Sequence, residues 1–210
     1  MKIAYFSNYK ENSGFSEAAR NYIRALDLQP GVIVTPRNIY LQNQPQEEKQ
    51  LVLDTLHPRI KELEQQNDLR NVDVAICHTL PSLASTTPKA KNVLMYAIET
   101  SHHRNSNWAQ FANRFDAVGS YCKSSVVAIK NSGVNVKKLF QIPHCVDIDR
   151  PNNPKLLNIK RSTNKCIFLT INEYSTRKNS EGVLRSFLSE FIDEPVCLFM
   201  KTFVNGGNPQ

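Results

Sequence analysis

The sequence has no apolar run that approaches the ~20 residues needed to span a bilayer. Its first apolar stretch, M-K-I-A-Y-F, breaks at Ser7 and is too short for the apolar region of a secretory signal peptide. We therefore expect a chain that opens with a β-strand, has no transmembrane segment and works in the cytoplasm.

The sequence also lacks the cysteine and glycine patterns of common cofactor sites. Its five cysteines stand singly with no C-x-x-C pair, so no zinc or redox site is predicted, and their odd number argues against a disulfide framework. We expect them to be small buried hydrophobic residues, and we expect no metal. No internal repeat or low-complexity segment is present.

Acidic residues are in deficit, with 26 Lys plus Arg against 19 Asp plus Glu. This balance fits nucleic acid, an anionic membrane surface touched peripherally, or a phosphorylated small molecule. The basic residues are spread along the chain, which singles out none of the three, and no motif of interleaved aromatic and basic residues supports nucleic-acid binding.

Short apolar runs alternate with amphipathic stretches, which is typical of an α/β protein with a parallel, Rossmann-like sheet. The pattern predicts one domain over 1–146, a polar linker over 147–165 and the first βαβ unit of a second domain over 166–210. One βαβ unit is too small to bury a core of its own. The predicted strands are 2–7, 32–36, 72–77, 92–98, 115–120, 138–143, 166–171 and 195–201.

Helices are predicted between these strands. One runs from about Phe15 to Leu28, and apolar spacing over 46–66 predicts another, which Pro58 should kink or divide. Further helices are expected over 106–114, from Ser120 or Cys122 to Gly133, and over 179–192.

The loop after the first strand is the first candidate site. Gly14 leads into a helix N-terminus, where free backbone N–H groups suit phosphate or substrate oxygens. The loop has one glycine, so it is not the G-x-G-x-x-G motif of dehydrogenases. Its alternative interpretation is a simple turn in which Ser13 or Ser16 caps the helix.

The segment I-E-T-S-H-H-R-N-S-N-W (98–108) follows a buried strand, where open α/β sheets bind ligands. Glu99 and His102 are the candidate catalytic side chains, and His103 is a candidate for the acceptor side of a cleft. The two histidines are adjacent in sequence and cannot both face one metal, so zinc is not expected. The alternative is an exposed polar loop.

Two later strand ends carry further candidates. His144, in I-P-H-C-V-D, either approaches a ligand or is a structural histidine. Arg177 and Lys178, in N-E-Y-S-T-R-K-N-S-E-G-V-L (172–184), precede a helix, where two cations and the helix dipole make a plausible diphosphate clamp. The alternative is an ordinary surface pair of basic residues.

Taken together, these segments resemble the retaining, nucleotide-sugar-dependent glycosyltransferases of family 4, which have the GT-B architecture of two Rossmann-like domains. The resemblance covers nearly the whole chain. It is carried by S-G-F-S-E-A-A-R-N-Y-I-R-A-L, Y-A-I-E-T-S followed by a Trp, F-D-A-V-G-S-Y-C-K-S-S-V, I-P-H-C-V-D-I-D and F-L-T-I-N-E-Y-S-T-R-K-N-S-E-G-V-L-R-S-F.

The resemblance implies a donor such as a UDP- or GDP-sugar, with no bound cofactor or metal, and a glycan or small-molecule acceptor held mainly by the first domain. It implies that Gly14 faces the donor phosphates or sugar, and that Lys178, with Arg177 beside it, contacts the diphosphate. Ser13, His103 and His144 would lie on the acceptor side. Basic side chains would stabilise the leaving diphosphate.

This sequence departs from the family pattern in three places. Asn172 stands where many members have an Arg of the phosphate clamp, and it remains a candidate for contact with the donor diphosphate. Ser13 replaces a loop glycine, and Cys145 replaces the glycine of H-G-V-D. The family's Glu-x7-Glu element, which holds the donor sugar and ribose, is expected beyond the end of this sequence. Two interpretations stay open: a glycosyltransferase of carbohydrate biosynthesis, truncated or completed by a companion chain, or a non-catalytic GT-B-derived binding module.

Overall fold

The computed structural model describes residues 1–40, 46–66, 68–146 and 165–203. The chain divides into two compact units, Met1–Arg150 (unit 1) and Pro151–Gln210 (unit 2). Apart from Lys165, the predicted linker lies outside the described residues. No helix in the described part of the chain is long and apolar enough to cross a membrane.

Unit 1 is built on a six-stranded parallel sheet in the order β2-β1-β3-β4-β5-β6. This confirms the predicted α/β class and the six strands expected before the linker. The strands are β1 (Lys2–Ser7), β2 (Ile33–Asn38), β3 (Val74–His78), β4 (Lys91–Met95), β5 (Ala117–Ser120) and β6 (Lys138–Gln141).

The strand order reverses between β1 and β3. The chain passes from β1 to β2 on one side and then returns to place β3 on the other, with Ser7 opposite His78 in the register. In open α/β sheets a crevice for ligands opens at such a reversal, outside the C-terminal ends of the strands. At the edge of the sheet, β2 tolerates Pro36, which has no N–H to donate to a further strand.

The helices of unit 1 begin and end where local chemistry favours it. Ser13 caps the first helix by accepting a hydrogen bond from the Ser16 N–H at 3.2 Å. Pro58 divides the segment 46–66 into two helices, as predicted. The helices are α1 (Gly14–Asp27), α2 (Gln46–Thr55), α3 (Pro58–Glu64), α4 (Trp108–Ala112) and α5 (Lys123–Asn131).

Helices cover both faces of this sheet. On one face, α1 and α3 pack Ile23, Ile60 and Leu63 against Tyr5 and Val34. On the other face, Ile129 of α5 and Ala112 of α4 join a cluster with Leu94, Tyr96 and Val118. The two clusters explain why the strands are apolar on both faces.

Unit 2 is a single βαβ unit in the described residues, with β7 (Cys166–Glu173) and β8 (Val196–Phe203) parallel and α6 (Ser180–Glu190) between them. Phe168 packs on Phe187 of α6 and on Phe191, which follows it. The opposite face of β7 stays open, since Leu169 and Ile171 are each 62% exposed. As expected, no hydrophobic side chain among residues 165–203 is fully buried.

Candidate functional site

The loop between β1 and α1 is held in place by buried polar contacts. Asn8 donates to the Glu11 carboxylate at 2.8 Å, and both residues are almost fully buried. Arg20 of α1 donates to the Tyr9 carbonyl at 2.7 Å. Because each buried polar group has a partner, the loop presents a fixed backbone to the C-terminal edge of the sheet.

Gly14, the predicted donor-facing residue, has open space around it. A Cβ built there meets no atom within 4 Å, and the positive-φ glycines of the described chain are Gly31 and Gly133. The fold therefore does not require glycine at position 14. Ser13, predicted on the acceptor side, uses its hydroxyl as the α1 cap and also pairs with the Ser16 hydroxyl at 2.7 Å.

His78, which no sequence motif marks as a site residue, lies at the end of β3 beside the strand reversal and is fully buried. Its Nδ1 is 2.7 Å from the Tyr5 hydroxyl, and its Nε2 is hydrogen-bonded to the Tyr121 hydroxyl. The Phe15 ring of α1 lies over it, with centroids 4.2 Å apart. The imidazole is thus enclosed by aromatic rings under the N-terminus of α1.

The electrostatics of this cluster keep it uncharged. Burial, with a smaller contribution from His144, lowers the pKa of His78 to about 3. Burial likewise raises the pKa of Tyr5 and of Tyr121 above the usual value for tyrosine. A neutral imidazole donates through one nitrogen and accepts through the other, so one tyrosine donates to His78 and the other accepts from it.

His144 lies at the same edge of the sheet, as its position after β6 predicts. Its exposed ring stacks on Tyr121, with centroids 3.9 Å apart and planes 26° from parallel. The backbone before it is fixed by the Tyr22 hydroxyl, which lies 2.8 Å from the Pro143 carbonyl. Burial lowers the pKa of His144. The structure therefore brings His144 together with His78 and the start of α1.

The loop that carries Glu99, His102 and His103 runs along α5. Near its start, Ser125 donates to the Ile98 carbonyl at 2.9 Å. Further along, the His103 N–H donates to Ser132 at 2.7 Å, at the end of α5 that leads into β6. A helix of this length is roughly 13 Å long, so His103 lies well away from the end of α5 nearest His144.

The side chains of this loop differ in their surroundings. The His103 ring packs against Trp108, and its Nε2 is hydrogen-bonded to the Tyr96 hydroxyl at 3.1 Å. Burial lowers the pKa of His103. Glu99 and His102 are exposed. The His103 ring therefore packs within unit 1, unlike the exposed side chain of His102. The catalytic roles of Glu99 and His102 stay predictions.

In unit 2, the loop after β7 turns sharply before α6. Thr176–Lys178 form one 3₁₀ turn, and Asn179 adopts a left-handed conformation with φ 51°. Ser180, the first residue of α6, donates to Asn172 at 2.8 Å, which ties the helix start to the end of β7. Asn172, predicted to lie at the donor, therefore also shapes this loop.

A cavity of about 310 Å³ lies at this loop. Arg177 and Lys178 are exposed in the turn that borders it, and neither side chain has a hydrogen bond or ion pair to another described residue. Glu181 also lines the cavity, where it accepts from the Tyr174 hydroxyl at 3.0 Å. The cavity is lined by Tyr174, Ser175, Thr176, Asn179, Ser180 and Glu181.

The two units together define an α/β protein with a Rossmann-like parallel sheet. No protein-family model and no curated protein matches the chain. Among solved structures, the chain is similar to S. aureus MnaA in a co-structure with UDP, with a TM-score of 0.52 and 15% sequence identity. The match covers 98% of this chain and 63% of that chain, so this chain spans less than two thirds of its neighbour.

At this level of identity the likeness shows the fold and nothing finer. It supports the Rossmann-like architecture without assigning the chain to glycosyltransferase family 4, so that assignment remains a proposal.

Proposed function

We propose that the protein transfers a sugar from a nucleotide-sugar donor to a hydroxyl acceptor, with unit 2 binding the donor diphosphate and unit 1 binding the acceptor. The observation that carries this proposal is the pair Arg177 and Lys178 in the turn that leads into α6, whose side chains are exposed and have no hydrogen bond or ion pair to another described residue. Each side chain is free to meet an anion from solution.

The N-terminus of α6 adds to this positive site. The first N–H groups of a helix lack partners within the helix and carry a partial positive charge. Asn179 precedes α6 with no side-chain hydrogen bond to cap it. Basic side chains and free N–H groups at one place are the features that bind phosphate groups without a metal ion.

Glu181 adds a negatively charged side chain to the lining of the cavity. Its carboxylate already accepts from Tyr174 and lies 3.8 Å from Arg185. A carboxylate repels phosphate and accepts hydrogen bonds from hydroxyl groups. In our proposal the diphosphate therefore lies by Arg177 and Lys178, and hydroxyl groups of the ribose or sugar lie by Glu181.

The UDP named for the MnaA structure supports a uridine nucleotide as the first donor to test. UDP-sugars and GDP-sugars are both compatible with the described loop. The retaining outcome, a glycan acceptor and the roles of Glu99 and His102 follow from the resemblance of the motifs and belong to the same proposal.

A binding module without catalytic activity is the second candidate. It is favoured by the open face of β7, where Leu169 and Ile171 are largely exposed, because a complete donor domain covers both faces of its sheet. Such a module would hold the nucleotide without turning it over. A companion chain that covers this face of β7 would instead be part of the first candidate, the sugar transferase.

The test is release of nucleoside diphosphate from a panel of UDP- and GDP-sugars, with and without glycan acceptors. Acceptor-dependent release by the wild type that is lost in Lys178→Ala supports the transferase. Nucleotide binding without release supports the binding module. Release that Lys178→Ala leaves unchanged contradicts the diphosphate role of this loop.

A further inference from the structure

His78 links two parts of unit 1 that the sequence keeps far apart. Tyr5, on its Nδ1 side, belongs to β1, and Tyr121, on its Nε2 side, directly follows β5. The β3 strand that carries His78 lies beside β1 in the sheet. The imidazole therefore bridges the strand reversal at the edge where ligands bind in this class of sheet.

Tyr121 connects His78 to His144. The hydroxyl of Tyr121 is bound to His78, and the face of its ring carries the His144 imidazole at 3.9 Å. Tyr22 lies beside both rings and holds the preceding backbone through the Ile142 and Pro143 carbonyls. His144 itself is exposed, whereas the groups behind it are largely enclosed.

The His78 ring that makes these two hydrogen bonds lies in the interior of unit 1. The imidazole is fully buried, so water cannot take the place of a lost partner. An unmade bond to a buried hydroxyl costs more than an ordinary hydrogen bond contributes, and a displaced ring recovers that loss by reaching solvent. Loss of the Nε2 bond therefore favours movement of Tyr121, and His144 moves with it.

We propose that His78 is a positioning residue: its Nε2 bond fixes the Tyr121 ring as the platform that presents His144 at the C-terminal edge of the unit 1 sheet. The further step, that His144 held in this position contacts a sugar acceptor, rests on the proposed function. The positioning itself is a property of unit 1 and is measurable without any activity.

Two substitutions of His78 distinguish the hydrogen bond made by Nδ1 from the one made by Nε2. The amide nitrogen of Gln reaches about as far as Nε2, and that of Asn about as far as Nδ1. His78→Gln therefore keeps the bond to Tyr121 and gives up the bond to Tyr5, and His78→Asn does the reverse. A purely structural role for a buried polar group predicts similar effects of both.

The measurement is the ring ¹³C–¹H spectrum of histidine-labelled protein, with the His144 signals assigned through His144→Gln. In the wild type, we expect the ring current of Tyr121 to shift these signals upfield, because the two rings stack with centroids 3.9 Å apart. We expect His78→Gln to retain that shift and His78→Asn to lose it, with the His144 signals moving toward those of exposed His102.

Tyr121→Phe tests the same bond from its other side and keeps the aromatic ring. It should also release His144. Tyr96→Phe is the matched control, because it removes a hydroxyl bonded to His103 at 3.1 Å and packed on the opposite face of the sheet. That control should leave His144 unchanged.

Kinetics then tests the use of the platform. We expect His78→Asn to raise the acceptor KM roughly tenfold, the equivalent of about one buried hydrogen bond, with the donor KM unchanged and His78→Gln close to wild type. An unchanged acceptor KM in His78→Asn overturns the acceptor role.

The two proposals fail separately. Absence of sugar transfer by the wild type contradicts the proposed function and leaves the spectra to decide the positioning. Unmoved His144 signals in both folded His78→Asn and Tyr121→Phe overturn the positioning, whatever the activity.

Discussion

The hydroxyl of Tyr22, in the first helix, lies 2.8 Å from the carbonyl oxygen of Pro143, 121 residues further along the chain. The same hydroxyl is 3.0 Å from the Ile142 carbonyl. This contact ties α1 to the segment that follows β6, the last strand of the sheet. It thereby holds the backbone before His144 against the helix that begins at Gly14.

Tyr22→Phe removes that hydroxyl and keeps the packed ring. We expect the free energy of unfolding to fall by about 1 kcal/mol, since two carbonyl groups lose a partner that is itself part-buried. Urea denaturation measures the change. Tyr40→Phe is the control, because the Tyr40 side chain is 64% exposed, and it should change stability by less than about 0.5 kcal/mol. Equal losses of unfolding free energy in Tyr22→Phe and Tyr40→Phe would contradict a stabilising hydrogen bond from Tyr22 to the segment after β6.

Gly14→Ala separates fold from function at the first loop. The added methyl meets no atom within 4 Å and the backbone is not left-handed, so stability should stay within about 0.5 kcal/mol of wild type. If Gly14 faces the donor phosphates or sugar, as the resemblance to family 4 implies, the added methyl blocks the approach of donor oxygens to the backbone, and donor affinity should fall by about tenfold.

Gly31→Ala should give the opposite result. Gly31 has φ 75°, which strains an alanine, so about 1 kcal/mol of stability should be lost with donor affinity unchanged. Thermal melting and nucleotide titration of both variants provide the comparison. A stable Gly14→Ala protein with full donor affinity removes Gly14 from the proposed site.

The low pKa of His78 makes the stability of unit 1 depend on pH. A histidine in the unfolded chain has a pKa near 6.5, whereas burial and His144 lower the folded value to about 3. As the pH falls, the unfolded state takes up the proton first. The stabilisation from neutral His78 is therefore complete above about pH 6.5 and is lost progressively as the pH falls toward 3.

From pH 7 to pH 5, this proton uptake should cost about 2 kcal/mol of unfolding free energy in the wild type. Urea denaturation at both pH values, compared with His78→Gln, isolates the contribution from those of other histidines. His78→Gln should lose correspondingly less stability over the same interval. Parallel losses in the two proteins contradict a neutral, buried imidazole at position 78.

The strands and most helix ends were predictable because their causes are local. Apolar runs mark the strands, Pro58 divides a helix whatever surrounds it, and Gly133 ends α5 in the left-handed conformation, with φ 92°. Each of these signals acts within a few residues of the structure that it specifies. Tertiary packing moved the ends by only a few residues.

The candidate site was predictable only in part, because side-chain contacts there join distant segments. His78 stands at the end of a predicted strand, but nothing local marks it, since its partners Tyr5 and Tyr121 lie 73 and 43 residues away. His103 was expected at a cleft by its position after β4. That role stays a prediction, whereas the contacts that hold His103 against α5, made with Ser132 and Trp108, follow from no spacing rule.

The most direct test of the proposed function is calorimetric titration of UDP, GDP and their sugar conjugates into the wild type, Lys178→Ala and Lys165→Ala. Lys165 provides the matched control, since it is an exposed lysine in the same unit that precedes β7, at the end of the strand opposite the loop. We predict that Lys178→Ala weakens nucleotide binding by about 10- to 100-fold, the range for a hydrogen bond to a charged group, and that Lys165→Ala binds as the wild type does. Equal affinities of all three proteins would contradict the account.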